Sequence, residues 1–267
     1  MQTTGKVFVV TGGGNGIGRE VVLELLRRGA RVAAVDLSQE GLTETSTFAD
    51  AGAPLTTHVL SVSDRKAVLA LPREVTAAHG TVDGLINVAG IIQPFVRIND
   101  LSFDKIEHVM NVNFWGVVNT TKAFLPALLE RPEAAIVNVS SMGGFLPVPG
   151  QAAYGASKAA VKLFTEALYA ETRGTNLDVT VVFPGGVATN ITANSGVEIP
   201  TMAMTGKMPK TTSPADAARQ IIDGMEKGAF RVRVGGDARF MDRLSRLAPR
   251  RATLFIANQM KQLLGST

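Results

Sequence analysis

The chain has no cysteine among its 267 residues. That excludes a disulfide framework, a thiolate metal centre and a cysteine nucleophile, and it suits a reducing compartment such as the cytoplasm. Histidine is scarce too: His58, His79 and His108 are scattered and make no metal-ligand set. No apolar run reaches the ~18 residues of a membrane-spanning helix. Met1 leads almost at once into Lys6–Val10, without the basic segment and small-residue cleavage site of a secretory leader. Linkers, internal repeats and low-complexity tracts are missing as well, so one domain over residues 1–267 is expected.

Apolar residues make up 45% of the chain and charged ones 19%, enough to bury a large core and to argue against disorder. The net charge of +4 and a pI near 9.5 raise nucleic acid as a partner. The basic residues are dispersed, however, and no nucleic-acid motif is present, so none is expected. The excess gathers late, at Arg231, Arg233, Arg239, Arg243, Arg246, Arg250 and Arg251.

Glycine is plentiful, with 27 copies and a cluster near the start. Val7–Val10 reads as a buried strand, and Gly12, Asn15, Gly16, Ile17 and Gly18 follow in a turn after Thr11. Val21, Val22, Leu25 and Leu26 then recur at helical spacing up to Gly29, and a second strand, Arg31–Val35, ends at Asp36. Such glycines let the backbone approach a ligand closely, and the helix start offers free N–H groups to a pyrophosphate. Asp36 stands where a dinucleotide fold puts the acid that binds ribose hydroxyls. A tight turn beside a solvent-facing aspartate is the plainer alternative.

Strand and helix go on alternating. Ser38 caps a helix to about Ala51, Pro54–Leu60 is a strand, and Ser63 caps a helix to about His79. Gly84–Asn87 is a strand; Ser102 opens a helix that passes Asn113 and continues beyond Pro126 with a bend. Ala134–Val139, Asp178–Phe183 and Arg231–Val234 complete the strands, with helices over Gln151–Arg173 and from Ser213 to Lys227 between them. Seven strands separated by helices predict an α/β, Rossmann-type doubly wound parallel sheet of seven strands with helices on both faces. Ligands bind such sheets beyond the carboxyl ends of the strands. Gly12–Gly18, Asp36, Asn87–Gly90, Ser141 and Pro184–Thr189 all fall there.

Tyr154 and Lys158 are four apart in a run of good helix formers, so they share one helix face. A fixed ammonium beside a phenol favours the phenolate and lowers its pKa from about 10. A tyrosine tuned to about 7 can exchange a proton at neutral pH. The bland alternative is an amphipathic helix with an exposed Tyr and an exposed Lys. Ser141 ends a strand thirteen residues earlier, and the loop Met142–Gly150 can bring its hydroxyl back to the same cleft.

Taken together, the Thr11–Gly18 loop, Asn87-Val-Ala-Gly90, Asn113, Ser141, Tyr154 with Lys158, and Pro184-Gly185 resemble the short-chain dehydrogenase/reductase family over about residues 5–235. The resemblance implies Tyr154 as the acid or base, Lys158 as its tuner and ribose ligand, and Ser141 as the group that orients the substrate oxygen. It implies that Asn113 holds a water linking Lys158 to solvent, and that Asn87 mainly ties the central strands. It sets Ala89 and Gly90 at the cofactor ribose, Pro184 and Gly185 in the cofactor turn, and Val187 and Thr189 at the nicotinamide carboxamide. Ser61 replaces the aspartate that many relatives aim at adenine, which leaves Val62 as the better neighbour. NAD is expected over NADP, because Asp36 would repel a 2′-phosphate while Asn15 and Leu37 stand where NADP-preferring relatives carry a basic residue.

The substrate walls are expected at residues 92–96, 142–151 and a lid at 189–212. Met142, Phe145, Leu146, Val148, Ile191, Val197 and the methionines 202, 204 and 208 make that side apolar, with Gln93, Gln151 and Asn190 as polar contacts. A hydrophobic secondary alcohol or its ketone is therefore expected. The extension 235–267 carries an apolar pattern broken at Pro249 and studded with arginine. A helix packed on its own domain, a homodimer or homotetramer contact, or a peripheral contact with anionic lipid all suit it. A catalytically silent dinucleotide-binding regulator is the alternative function. An epimerase or dehydratase of the extended relatives would need a longer C-terminal domain.

Overall fold

β-Branched and apolar runs closed by glycine, serine or proline form seven strands: β1 (Val7–Thr11), β2 (Arg31–Asp36), β3 (Leu55–Val59), β4 (Gly84–Asn87), β5 (Ala134–Val139), β6 (Leu177–Pro184) and β7 (Arg231–Val234). The structure, a computed structural model, describes residues 1–189, 191–197 and 211–260. All strand pairs are parallel, in the order β3-β2-β1-β4-β5-β6-β7. The chain order therefore reverses between β1 and β4, where a doubly wound sheet opens a crevice at its carboxyl edge. Register sets Thr11 beside Asn87 and Asn87 beside Asn138, so these strands end level at that crevice.

The helices are α1 (Gly16–Arg27), α2 (Gln39–Phe48), α3 (Arg65–His79), α4 (Phe103–Met110), α5 (Gly116–Leu129), α6 (Ala152–Glu171), α7 (Ile191–Asn194), α8 (Pro214–Glu226), α9 (Gly236–Leu247) and α10 (Pro249–Met260). Side chains alternate across the sheet and feed two cores. Phe8, Val10, Val32 and Ile86 pack under Val21, Leu25, Ile221 and Met225 of α1 and α8. Val7, Val9, Leu85 and Ile136 pack under Leu71, Val75, Phe124 and Leu128 of α3 and α5, with Leu168 of α6.

Ser38, Ser102 and Ser213 cap their helices as the sequence predicts. Asp64, not Ser63, caps α3: its carboxylate accepts from the Lys66 and Ala67 amides, whereas the Ser63 hydroxyl is engaged by Ser61. The helix after Ser102 is also interrupted before it reaches Pro126. Pro126 sits inside α5, and the irregularity is a π turn at Asn111–Trp115. Asn113 in that turn grips the Ile91 main chain through both amide atoms, at 2.8 and 2.9 Å, and so holds the turn against the end of β4.

Beyond β7, Pro249 is the first residue of α10, where its missing N–H is not needed, and α9 and α10 form a helical hairpin. Met241 and Ala252 bury against Leu146, with Met142, Phe145, Leu244 and Ile256 around them. The extension thus folds back onto the loop that follows Ser141.

Candidate active site

The glycine loop floors one end of the crevice. Gly12 and Gly16 have φ of +74° and +52°, a region L side chains avoid. A Cβ on Gly12 would lie 2.8 Å from the Ala89 amide nitrogen, and one on Gly18 would lie 1.9 Å from the Gly12 carbonyl oxygen. The loop is therefore packed on itself and on the end of β4, and it presents main chain to the cleft. Asp36 closes this end. Its carboxylate accepts from the Gly14 and Ser38 amides, each at 2.9 Å, and is braced there. Arg19 is anchored through Nε and Nη2: its guanidinium donates to Glu44 and to the Gly14 carbonyl, both at 2.5 Å, and to the Thr45 hydroxyl at 3.1 Å.

A cleft of about 520 Å³ opens over this floor. It gathers Gly12, Asn15, Gly16, Ile17, Gly18, Asp36, Leu37, Ser61, Val62, Ala89, Gly90 and Thr189. Ile91, His108, Val112 and Ser195 line it too, although no motif marks them. Asn87 is not among the lining residues. It is 2% exposed, donates to Asn138 Oδ1 at 2.9 Å and accepts from Thr120 at 2.8 Å, so its side chain is spent as a tie between β4, β5 and α5. Pro184 ends β6, and Val187 pairs with Thr212 in an isolated bridge. Gly185 lies against the Asp237 carboxylate, which accepts from the Gly186 amide at 2.7 Å. The first turn of α9 thereby holds the turn after β6, a contact spanning fifty-one residues that sequence spacing does not reveal.

The loop after β5 lies flat on α6. Ser140 Oγ donates to the Lys158 carbonyl at 2.7 Å, and a Cβ on Gly144 would come within 2.9 Å of that carbonyl. This docking sets Ser141 against Tyr154: a Cβ on Gly143 would stand 3.3 Å from the Tyr154 ring and 3.5 Å from Ser141 Oγ. Lys158 lies one turn further along α6. It is 4% exposed, and its Nζ donates to the Val139 carbonyl at 3.0 Å. A Cβ on Gly90 would be 3.1 Å from that Nζ and 3.2 Å from Asn113 Oδ1, so Gly90, Asn113 and Lys158 converge. Asn113 also donates to Ser157, whose hydroxyl donates to the Tyr154 carbonyl at 2.7 Å.

The electrostatics depart from the sequence expectation. Burial pushes the Tyr154 phenol above its ordinary pKa, and a hydrogen bond with Ser141 pulls it only part of the way back. Burial also lowers the Lys158 ammonium to about 8. The Lys158 ammonium does not offset the burial of the phenol: it donates to the Val139 carbonyl, and burial disfavours its charge.

Gln93 and Gln151, expected as polar substrate contacts, are 1% and 4% exposed and bind each other's surroundings instead. Gln93 Nε2 donates to the Gly150 carbonyl and its Oε1 accepts from the Tyr154 amide, both at 3.0 Å; Gln151 Nε2 donates to the Gln93 carbonyl at 2.8 Å. The pair clamps the first turn of α6 to the segment after β4. Met142 and Phe145 remain partly exposed but pack on the terminal hairpin. Asn190, Met202, Met204 and Met208, with most of the expected lid, lie outside the described residues.

A sequence profile of the short chain dehydrogenase family matches residues 6–199. A Mycobacterium tuberculosis protein assigned to the oxidoreductases as SadH is 42% identical over 251 residues, covering 91% of each chain. A short-chain dehydrogenase from Burkholderia cenocepacia, solved with NADP, superposes with a TM-score of 0.81 at 26% identity, covering 96% of this chain and 99% of that one. A short-chain dehydrogenase/reductase from Burkholderia phymatum, solved with NAD, gives 0.80 at 25% identity, covering 92% and 96%. No described helix is long and apolar enough to cross a membrane.

Proposed function

The chain belongs to the short-chain dehydrogenase/reductase family of oxidoreductases, and from that premise we propose that it interconverts a hydrophobic secondary alcohol and its ketone with NAD as the coenzyme. The observation that carries this reading is the docking of Ser141 onto α6 beside Tyr154, with Lys158 one turn on and its Nζ beside Gly90, which lines the glycine-floored cleft.

The cleft fits a nicotinamide dinucleotide. Cβ atoms at Gly12 and Gly18 would fill the loop, so only main-chain N–H groups face a pyrophosphate there. Asp36 would take the adenosine ribose hydroxyls, Ala89, Gly90, Tyr154 and Lys158 the second ribose region, and Val187 with Thr189 the carboxamide. When bound, the coenzyme supplies or accepts the hydride. In ketone reduction the Tyr154 hydroxyl gives its proton to the substrate oxygen, and in alcohol oxidation the phenolate takes it back. Ser141 donates to the same oxygen and steadies charge that develops on it. Gln93 and Ser157 hold the main chain of Tyr154 from both sides, which fixes where the phenol points.

Three features support NAD over NADP. The Asp36 carboxylate, fixed by two amides, would repel a 2′-phosphate. Arg19, the cation that directly follows the glycine loop, donates to Glu44, Thr45 and the Gly14 carbonyl. Leu37, 72% exposed, adds no charge. The partly exposed apolar pair Met142 and Phe145 supports a hydrophobic substrate over a sugar or a small acid.

A catalytically silent dinucleotide-binding regulator is the other reading, and the intact Ser141, Tyr154 and Lys158 weigh against it. Consumption of NADH and of NADPH with a panel of hydrophobic ketones tests both. Turnover with kcat/KM higher for NADH is expected. Equal values or a preference for NADPH would refute the coenzyme assignment, and dinucleotide binding without any turnover would favour the regulator.

A further inference from the structure

We propose that the outer face of the α9–α10 hairpin docks on an anionic lipid bilayer. Between Gly236 and Met260 the chain carries five arginines, Arg239, Arg243, Arg246, Arg250 and Arg251, and all five are exposed. The two acids of the segment are both engaged, and Asp242 is buried. Asp237 is bound to the Gly186 amide, and Asp242, 5% exposed, is held by Arg233 at 3.1 Å and Arg246 at 2.8 Å. Phe240, Leu247, Leu254 and Phe255 stand among the arginines, 59%, 87%, 52% and 44% exposed. The inner face is already used, with Ala238, Met241 and Ala252 buried beneath the hairpin.

A surface that couples guanidinium groups to exposed aromatic and aliphatic side chains answers both parts of a bilayer boundary. Phosphate headgroups accept hydrogen bonds from arginine, and the acyl margin takes up phenylalanine and leucine. A two-fold contact with a second copy would set this face against itself and bring arginine onto arginine with no exposed acid of the hairpin to neutralise it. The inner face rests on Met142, Phe145 and Leu146 beside Ser141, so docking would hold the catalytic loop next to the phase in which apolar molecules concentrate. The charge and exposure of the outer face stand whether or not the reaction assigned above is correct.

The test is co-sedimentation of the full chain with vesicles of phosphatidylcholine alone and of phosphatidylcholine mixed with phosphatidylglycerol, at low and high salt. Pelleting with the anionic vesicles only, reversed by salt, is expected. Each arginine contributes about fivefold to such partitioning. The triple variant Arg243→Gln, Arg250→Gln, Arg251→Gln should therefore bind about a hundredfold more weakly, and Leu247→Ser with Phe255→Ser should weaken binding while keeping its salt dependence. An unchanged thermal unfolding midpoint shows that the variants remain folded. No pelleting, equal pelleting with neutral vesicles, or undiminished binding by the triple variant overturns the proposal. So does a triple variant that changes oligomeric mass in a protein that ignores vesicles, because the face is then a contact between copies.

Discussion

At the β1–α1 end the cleft is made of main chain: Gly12 and Gly18 leave no room for a Cβ, Gly16 holds a positive φ, and Asp36 is pinned by amides two and twenty-two residues away. Around Ser141 the site is made of side chains that meet from distant parts of the sequence. Leu146 packs on Met241 and Ala252, and Gln93 grips the amide of Tyr154 sixty-one residues on. The first wall is set by sterics that no larger residue can satisfy. The second is set by packing that many residue combinations can satisfy, so it is the wall where substrate choice can vary while the chemistry stays.

Five changes would break or sharpen that contrast. Tyr154→Phe removes the transferable proton and should lower kcat by about a thousandfold, while dinucleotide affinity, read by fluorescence titration, stays within about twofold. A parallel collapse in affinity would show that the two ends are not separable. Leu146→Ala empties a fully buried site and should cost about 3 kcal/mol in denaturant unfolding, with KM for the alcohol rising more than KM for the dinucleotide. Gly18→Ala forces a methyl onto the Gly12 carbonyl; a penalty of about 2 kcal/mol should raise the dinucleotide Kd about thirtyfold, with kcat largely recovered at saturation. Asp36→Ala should narrow the NADH-to-NADPH ratio of kcat/KM by about tenfold, and an unchanged ratio would remove Asp36 from coenzyme choice.

The smallest effect concerns pH. Lys158 is an ammonium below about 8 and a neutral amine above it. If its charge serves the site, ketone reduction should hold up to pH 8 and then fall by up to about tenfold per unit, an initial-rate profile checked at saturating coenzyme. Alcohol oxidation, which needs the phenolate, gains from rising pH over the same range. A flat reduction profile from pH 7 to 9.5 would remove the Lys158 charge from the reaction.

The fold was legible because its signals are local. Alternating strand and helix patterns, serine caps and the glycine loop gave seven parallel strands in register, and Tyr154 and Lys158 share α6 as their spacing requires. What stayed hidden depends on the third dimension. The π turn at Asn111–Trp115 is not legible in the sequence at all, because Asn113 there binds the Ile91 main chain, a partner no spacing announces. Gln93 and Gln151 read as polar groups for a ligand, and their burial turned them into a clamp. The phenol reads as acidified by its lysine neighbour because a helical wheel shows proximity but not desolvation. Asp237 at Gly186 and Leu146 at Ala252 join residues with no shared motif.

Lys158 carries one more consequence. Its amine has a folded pKa near 8 against 10.5 when free, so the unfolded chain binds the extra proton between those values and stability gains from this group as pH rises through that window. At pH 7 the whole penalty is in force, about 3 kcal/mol of folding free energy lost to one interior cation. A laboratory selection for heat resistance alone would therefore tend to discard this lysine early, for methionine or leucine, and, if the proposed role of Lys158 holds, would return a sturdier protein with no turnover. Screens for durable variants need catalysis in the readout from the first round.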